Sequence, residues 1–285
     1  MLSYRHGFHA GNHADVLKHF VLVRVLRHLA AKARGFSYID THAGAGRYRL
    51  TDAAALKNAE FESGIARLSS ADDVPAPLDD LLGQVRAYNL AQHGDAGRLQ
   101  GYPGSPQLAL QLLREQDRIR CFERHTTEIG VLQANLAGAP RRATAVLADG
   151  FDALRSVLPP PTRRGVVLID PSYEDKRDYA RVCEALADAL TRFATGTYLV
   201  WYPLVQRREA VRLPGALRRL PVGDWLDVSL TVRAPAEDGY GLHGSGVFAI
   251  NPPWTLAAEL RAVMPWLARR LAQDGRAGFR LDLPD

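Results

Sequence analysis

The chain has 285 residues, 47% of them hydrophobic and 24% charged, which suits a water-soluble globular protein with a large core. Its net charge of +5 and sequence pI near 9.3 permit a polyanionic partner without identifying one. No apolar run reaches the roughly 18 residues of a membrane span, and two lone cysteines, Cys121 and Cys183, supply neither a disulfide framework nor a metal spacing.

At the amino end, Met1–His6 has no signal-peptide pattern, so a cytoplasmic protein is expected. Residues 12 to 34 predict a helix, with Asn12 as N-cap, Asp15 in the first turn, and Leu22, Val25, Leu26 and Leu29 on one face. Phe36–Asp40 follows as a strand. Residues 51 to 100 break the pattern with polar, helical sequence such as Leu78–Arg86, interrupted near Pro75 and Pro77. A small helical insertion is expected there, with 1–50 and 101–285 forming the main domain.

Beyond it, strands and helices alternate. Strands are expected at Arg118–Glu123, Thr144–Asp149, Gly165–Asp170 and Thr197–Tyr202. Helices are expected at Ser105–Glu115, Thr127–Ala137, Phe151–Leu158 and Tyr179–Phe193, the last with Val182, Ala185, Leu186 and Leu190 as its stripe. That rhythm predicts βαβ units and a mostly parallel, doubly wound α/β sheet. Trp225–Val232 and Gly246–Asn251 lack an intervening helix and predict an antiparallel edge hairpin before a last helix, Thr255–Gln273.

The chemistry-bearing residues fall at strand ends, where open parallel sheets bind ligands. Asp40-Thr-His-Ala-Gly44-Ala-Gly46 has two glycines that admit close backbone approach, but Arg49 stands where a dinucleotide fingerprint needs a third. Its spacing looks like the first motif of S-adenosylmethionine-dependent methyltransferases. Glu123, Asp149 and Asp170 end three later strands. A carboxylate at one strand end can accept from ribose hydroxyls and one at the next from an adenine amine, with the Gly150 backbone against the ring. Singly, each acid reads as a helix cap; together with Asp40 they outline a nucleoside pocket.

Asp170-Pro171-Ser172-Tyr173 pairs an acid with a rigid turn and an aromatic ring. An adenine amine is a weak nucleophile, because its lone pair is delocalised into the ring. The Asp170 carboxylate and the Pro171 carbonyl could grip its two protons, while Tyr173 stacks on the extruded base. Asn251-Pro-Pro-Trp254 has the same grammar. Asp170 is favoured because it ends the fourth parallel-type strand, whereas Asn251 follows the hairpin at a plausible helix start.

Met1-Leu-Ser-Tyr-Arg-His-Gly-Phe-His-Ala-Gly-Asn-His-Ala-Asp-Val-Leu-Lys-His19 resembles the opening of the RlmJ family of bacterial 23S rRNA adenine-N6 methyltransferases. Asp40–Tyr48, Tyr102–Pro106, Ala148–Phe151, Arg163–Gly165, Phe193–Gly196, Trp201–Pro203 and Asn251–Trp254 extend the likeness nearly end to end. The resemblance implies a Rossmann-like methyltransferase fold, a monomer, and action on protein-free 23S rRNA. It implies His19, His42, Ser105 and Glu123 as S-adenosylmethionine contacts, together with Asp149, Gly150 and Asp170. It also makes Asp170 the catalytic acceptor and brings Tyr4 to the RNA, with no metal. One departure is Ser172, where the family usually has proline; both acceptor oxygens survive it. A DNA adenine methyltransferase, or a non-catalytic RNA-binding module, is the alternative.

Overall fold

The structure, a computed structural model, describes residues 6–139 and 141–284. After a 3-10 turn (His6–Phe8) come α1 (His13–Ala30), β1 (Ser37–Asp40) and β2 (Arg47–Arg49). The next segment holds α2 (Ala53–Asn58), a 3-10 turn (Glu60–Ser63), α3 (Ile65–Ser69) and α4 (Ala76–His93), and β3 (Gly101–Pro103) closes it. Then follow α5 (Ser105–Leu112), β4 (Arg118–Glu123), α6 (Thr126–Leu136), β5 (Ala143–Leu147), α7 (Gly150–Val157) and β6 (Gly165–Ile169). The chain continues through α8 (Asp178–Arg192), β7 (Thr197–Leu204), α9 (Arg208–Leu217), β8 (Trp225–Thr231), β9 (Gly244–Ile250), α10 (Leu256–Arg270) and β10 (Gly278–Asp282).

Eight strands form one sheet in the order β10-β8-β9-β7-β6-β1-β4-β5. The five from β7 to β5 are parallel and the other three antiparallel. This is the mostly parallel, doubly wound α/β sheet that the strand–helix rhythm predicts, in the Rossmann-like form that the resemblance implies. From β1 the chain first winds outward through β4 and β5, then returns to β6 on the other side of β1. The carboxyl ends of β1 and β6 therefore flank the switch point, where open sheets leave a crevice. β6 is Gly-Val-Val-Leu-Ile, buried throughout, as a strand covered on both faces must be.

One apolar cluster joins the sheet to α1, α4, α5, α6 and α10; the other joins it to α7, α8 and α9. Leu78, Leu81, Leu82 and Val85 of α4 belong to the first cluster, so the helices between β2 and β3 share the main core. β2 and β3 pair antiparallel, Arg47 opposite Pro103, as the stem of that segment.

Three features differ from the sequence expectation. The β8–β9 hairpin is antiparallel but does not form the edge: β9 pairs with β7, and β10 adds outside β8. α1 stops at Ala30 rather than residue 34. There Arg114 donates to the Ala30 and Lys32 carbonyls and Arg164 to those of Leu29 and Arg34, a cationic finish suited to the negative helix end. α1 is also no surface helix, since every residue from His13 to Val23 is buried.

Candidate active site

A helix buried all round cannot leave ionisable side chains unpaired, because a lone buried charge costs several kcal/mol. Asn12 caps α1, its side-chain oxygen accepting from the Ala14 and Asp15 amides at 2.9 Å each. Asp15 accepts from the Gly11 amide at 2.9 Å and meets His6 Nε2 at 2.9 Å. One turn on, Lys18 Nζ lies 2.9 Å from Asp15 Oδ1 and donates to Asp170 Oδ2 at 2.6 Å. Burial opposes the Lys18 charge, but the two carboxylates outweigh it and hold the ammonium protonated. His19 Nδ1 bonds the Tyr102 hydroxyl at 2.8 Å, while its buried Nε2 makes no hydrogen bond among the described residues and lies 4.0 Å from Asp15 Oδ1. Burial pushes His19 down to about 3, so it is neutral at pH 7.

The carboxyl ends of β1, β4 and β6 meet beside this turn. Asp40 is fully buried and accepts from Tyr38 Oη, Ser105 Oγ and the His42 amide at 2.6, 2.7 and 3.2 Å. Asp40 therefore orients the loop. Burial raises it to about 6 against those donors. Ser105 does not cap α5, whose N-cap is Gly104; its hydroxyl serves Asp40. Gly44 sits at φ +58°, a conformation side chains resist, and this turns its amide onto Glu123 Oε2 at 2.8 Å. Glu123 Oε1 accepts from the His125 amide at 2.7 Å. Each oxygen retains a further lone pair.

Asp149 caps α7 through the Phe151 amide at 3.0 Å and pairs with Arg181 at 2.9 Å and Arg124 at 3.2 Å. Burial raises its carboxyl, but the two guanidiniums prevail and hold it below the usual range. Gly150 packs so tightly on the Thr41 backbone that a Cβ would strike the Thr41 carbonyl. His42, pushed by burial to about 3, bonds Thr41 Oγ1 at 2.8 Å and sets its ring edge-on to Phe151 at 4.7 Å.

Asp170 follows β6 directly. Lys18 occupies its Oδ2, and among the described residues no side chain or amide engages Oδ1. The side chain is 14% exposed. Burial raises the Asp170 carboxyl and Lys18 opposes the rise, leaving it above its ordinary value. Tyr173 holds a left-handed backbone, φ +54°, rare for a bulky residue and tolerated only where the surroundings enforce it. Those surroundings are its hydroxyl on the Trp201 carbonyl at 2.8 Å, Arg207 on its own carbonyl at 3.1 Å, and its ring 4.5 Å from that of Tyr179. Only 2% of Tyr173 is exposed, so its ring faces are engaged by protein. The Glu174 amide reaches Ser172 Oγ at 3.5 Å, at the outer limit of a hydrogen bond.

A cavity of about 1360 Å³ joins these groups, bordered by His19, His42, Gly44, Ser105, Glu123 and the Asp170–Tyr173 turn. Asp149 and Gly150 are not among its lining residues: Asp149 bonds the Phe151 amide and Gly150 packs on the Thr41 backbone. Tyr4 lies outside the described residues. Asn251 is at the opposite end of the sheet, since Ile250 pairs with Tyr198 at the start of β7. Its side chain donates to the Ala194 and Gly196 carbonyls at 2.8 and 2.7 Å. The adjacent arginines Arg163-Arg164, Arg207-Arg208 and Arg218-Arg219 do not share one face: Arg207 borders the cavity, Arg164 binds the end of α1, and Arg218 pairs with Asp227 and Asp282.

Lys18 is the site residue that sequence reasoning missed. The available signal was an acid and a lysine three residues apart inside an apolar helix, a spacing that puts both on one face. As assembled, the site offers an anchored carboxylate with one open oxygen, at the mouth of a crevice roomy enough for two ligands.

Comparison with known proteins agrees with this architecture. A family model described as "Ribosomal RNA large subunit methyltransferase D, RlmJ" matches residues 33–282. Ribosomal RNA large subunit methyltransferase J of Escherichia coli K12 is 44% identical over 275 residues, 96% of each chain. Its Haemophilus influenzae namesake is 41% identical over 282 residues, covering 99% of this chain and 98% of its own. The crystal structure of protein LPL1258 from Legionella pneumophila superposes with a TM-score of 0.87 at 32% identity, over 96% of this chain and 98% of that one. The chain belongs to the RlmJ ribosomal RNA large subunit methyltransferase family.

Proposed function

We propose that the chain transfers a methyl group from S-adenosylmethionine to the exocyclic N6 amine of one adenine in 23S rRNA, acting as a cytoplasmic monomer on protein-free RNA. The relatives' names support an rRNA substrate. The observation that carries the adenine-N6 reading is Asp170: anchored by Lys18 through one oxygen, open through the other, and followed at once by the Pro171 carbonyl.

The crevice fits the cofactor. Glu123 keeps lone pairs for ribose hydroxyls, Gly44 allows backbone approach, and the buried Nε2 of His19 makes no hydrogen bond among the described residues. His42, Ser105, Asp149 and Gly150 shape the remaining wall directly or from behind. When bound, S-adenosylmethionine supplies an electrophilic methyl on a sulfonium.

The protein's part is to hold and discharge the amine. Asp170 Oδ1 and the Pro171 carbonyl draw its two protons out of the ring plane, freeing the nitrogen lone pair. Lys18 favours the ionised form of the carboxylate and fixes its direction. Once methylated, the amine would give up one proton, to Asp170 or to water. Stacking on Tyr173 requires its ring to exchange Tyr179 for the base, so Tyr173 serves either as that platform or as the brace of the turn.

The test is incubation of labelled S-adenosylmethionine with deproteinised 23S rRNA beside an Asp170→Ala control. Label in N6-methyladenine that disappears with the control supports the reading. Label in duplex DNA and not in RNA favours a DNA methyltransferase. Absence of cofactor binding in titration calorimetry favours a non-catalytic RNA-binding module.

A further inference from the structure

Beyond the reacting groups, the mouth of the cavity carries an aromatic ring and three arginines with no role in the scheme above. Tyr240 is 80% exposed yet borders the cavity. It is the tip of the loop joining β8 to β9, set between Gly239 at φ +78° and Gly241 at φ +91°. The loop is braced from several sides. Ala236 O accepts from the Gly239 amide and from Gln206 Nε2, each at 3.0 Å. Asp238 Oδ1 accepts from the Tyr240 amide at 2.9 Å, and Arg233 donates to the Leu242 carbonyl at 3.1 Å. A single exposed tyrosine is commonplace; one held at the rim of a reaction crevice is less so.

Three arginines give this rim positive charge. Arg67, Arg207 and Arg233 all border the cavity. Each is anchored by a backbone carbonyl: Ala272 at 2.8 Å, Tyr173 at 3.1 Å and Leu242 at 3.1 Å. Among the described residues, no carboxylate oxygen lies within 4.0 Å of any of the three guanidiniums. Arg124, on the same cavity, is instead paired with Asp149, which it shares with Arg181. A carbonyl aims a guanidinium without cancelling its charge, so these three keep their attraction for an anion. The cavity, at about 1360 Å³, also exceeds the roughly 300–1,000 Å³ of an ordinary small-molecule site. There is room beyond one cofactor and one base.

We infer that this rim seats the nucleotide adjoining the target adenine: Tyr240 stacks on its base, and Arg233 and Arg207 receive the phosphates on either side. The inference rests on the rRNA-methylation reading and names how that substrate is gripped. A base paired within a helix has both faces covered, so the neighbour must be unpaired, and the target lies in a loop or opened end of the RNA. Stacking is tolerant of base identity, so the contact fixes the strand's path more than its sequence.

The test compares parent, Tyr240→Ala, Tyr240→Phe and Arg233→Gln in binding to deproteinised 23S rRNA with S-adenosylhomocysteine present, and in KM and kcat for methyl transfer. Tyr240→Ala should weaken binding and raise KM by about 5- to 100-fold, the loss of one stacked base, with kcat and S-adenosylhomocysteine affinity as in the parent. Tyr240→Phe should behave as the parent. Arg233→Gln should lower the salt slope of binding by about one. Parent-like RNA binding and KM in Tyr240→Ala would overturn the inference, as would equal losses in Tyr240→Ala and Tyr240→Phe. A parent that binds RNA without methylating it refutes the catalytic reading instead, and the binding comparison then decides the rim's role alone.

Discussion

Asp170-Pro-Ser-Tyr and Asn251-Pro-Pro-Trp are near-twins in sequence and opposites in the fold. Both follow a buried strand and both contain a left-handed residue, Tyr173 at φ +54° and Asn251 at φ +49°. Asp170 lies at the carboxyl end of β6, beside the switch point, and opens onto the crevice. Asn251 follows an antiparallel strand, so the same chain direction delivers it to the amino ends of the parallel strands. There its amide binds two carbonyls, its own carbonyl accepts from Thr197 Oγ1 at 2.9 Å, and Trp254 is 85% exposed. A short motif is therefore half an argument; strand direction supplies the rest.

The sharpest way to break this contrast is Asp170→Asn, expected to lower kcat for methyl transfer by about 10²–10⁴-fold while RNA binding persists. Retained activity there, with loss in Asn251→Ala, would exchange the two roles. Lys18→Met should cost about 3–5 kcal/mol of stability by stranding two buried carboxylates, measured by urea unfolding. In whatever folds, the acid limb of the rate profile should move to higher pH, because the charge opposing Asp170 protonation is gone. Lys18→Arg, which keeps the charge, should recover part of both. Asn251→Ala should cost about 1–3 kcal/mol, since alanine resists the left-handed backbone and leaves two carbonyls unbonded, with kcat unchanged.

Smaller effects follow from the titrating groups. His19 and His42 have folded pKa values near 3 and His13 near 4, against 6.5 when unfolded. Below pH 6.5 the unfolded chain takes up protons that the folded one refuses, so stability should fall with pH by about 1.4 kcal/mol per unit per histidine, down to each folded value. Asp40 acts oppositely: raised to about 6 from 3.8, it favours the folded state as pH drops from 6 towards 4. Urea midpoints between pH 7 and 4 read the balance, and a flat profile would contradict the burial of these rings. Ser172→Pro should have the least effect, because the only bond it removes is the 3.5 Å contact with the Glu174 amide; a large drop in transfer rate would give serine a role of its own.

The sheet's parallel half was readable because its strands are short runs rich in apolar residues, four of the five (β1, β4, β5 and β6) ending at or just before an acid, and helical stripes separate most of them. α9 and β10 were not anticipated. α9 contains Pro214, which sequence reasoning treats as a breaker, and β10 is five residues whose pattern is half polar. At the site, acids at strand ends announced themselves, whereas Lys18 did not, because its partner lies 152 positions away. Asp149 had the right address, but its arginine partners on α8 and beside β4 came only with tertiary packing. Tyr173's buried ring likewise depends on Tyr179 and Trp201, which no local pattern connects to it.

The ribbon of β2 and β3 has a consequence for how the fold could have grown. Its strands bring Arg49 and Gly101 side by side, so the 51 residues between them could be exchanged for a tight bend without disturbing the chain on either side. Yet α4 lays Leu78, Leu81 and Leu82 against the core that α1 shares, and Asp80 ties Arg24 and Arg27 of that same helix. Pruning the branch would wet the trunk: α1 would meet water along one flank, a short distance from the turn that carries Lys18. The segment between β2 and β3 thus backs the helix that anchors the reactive carboxylate.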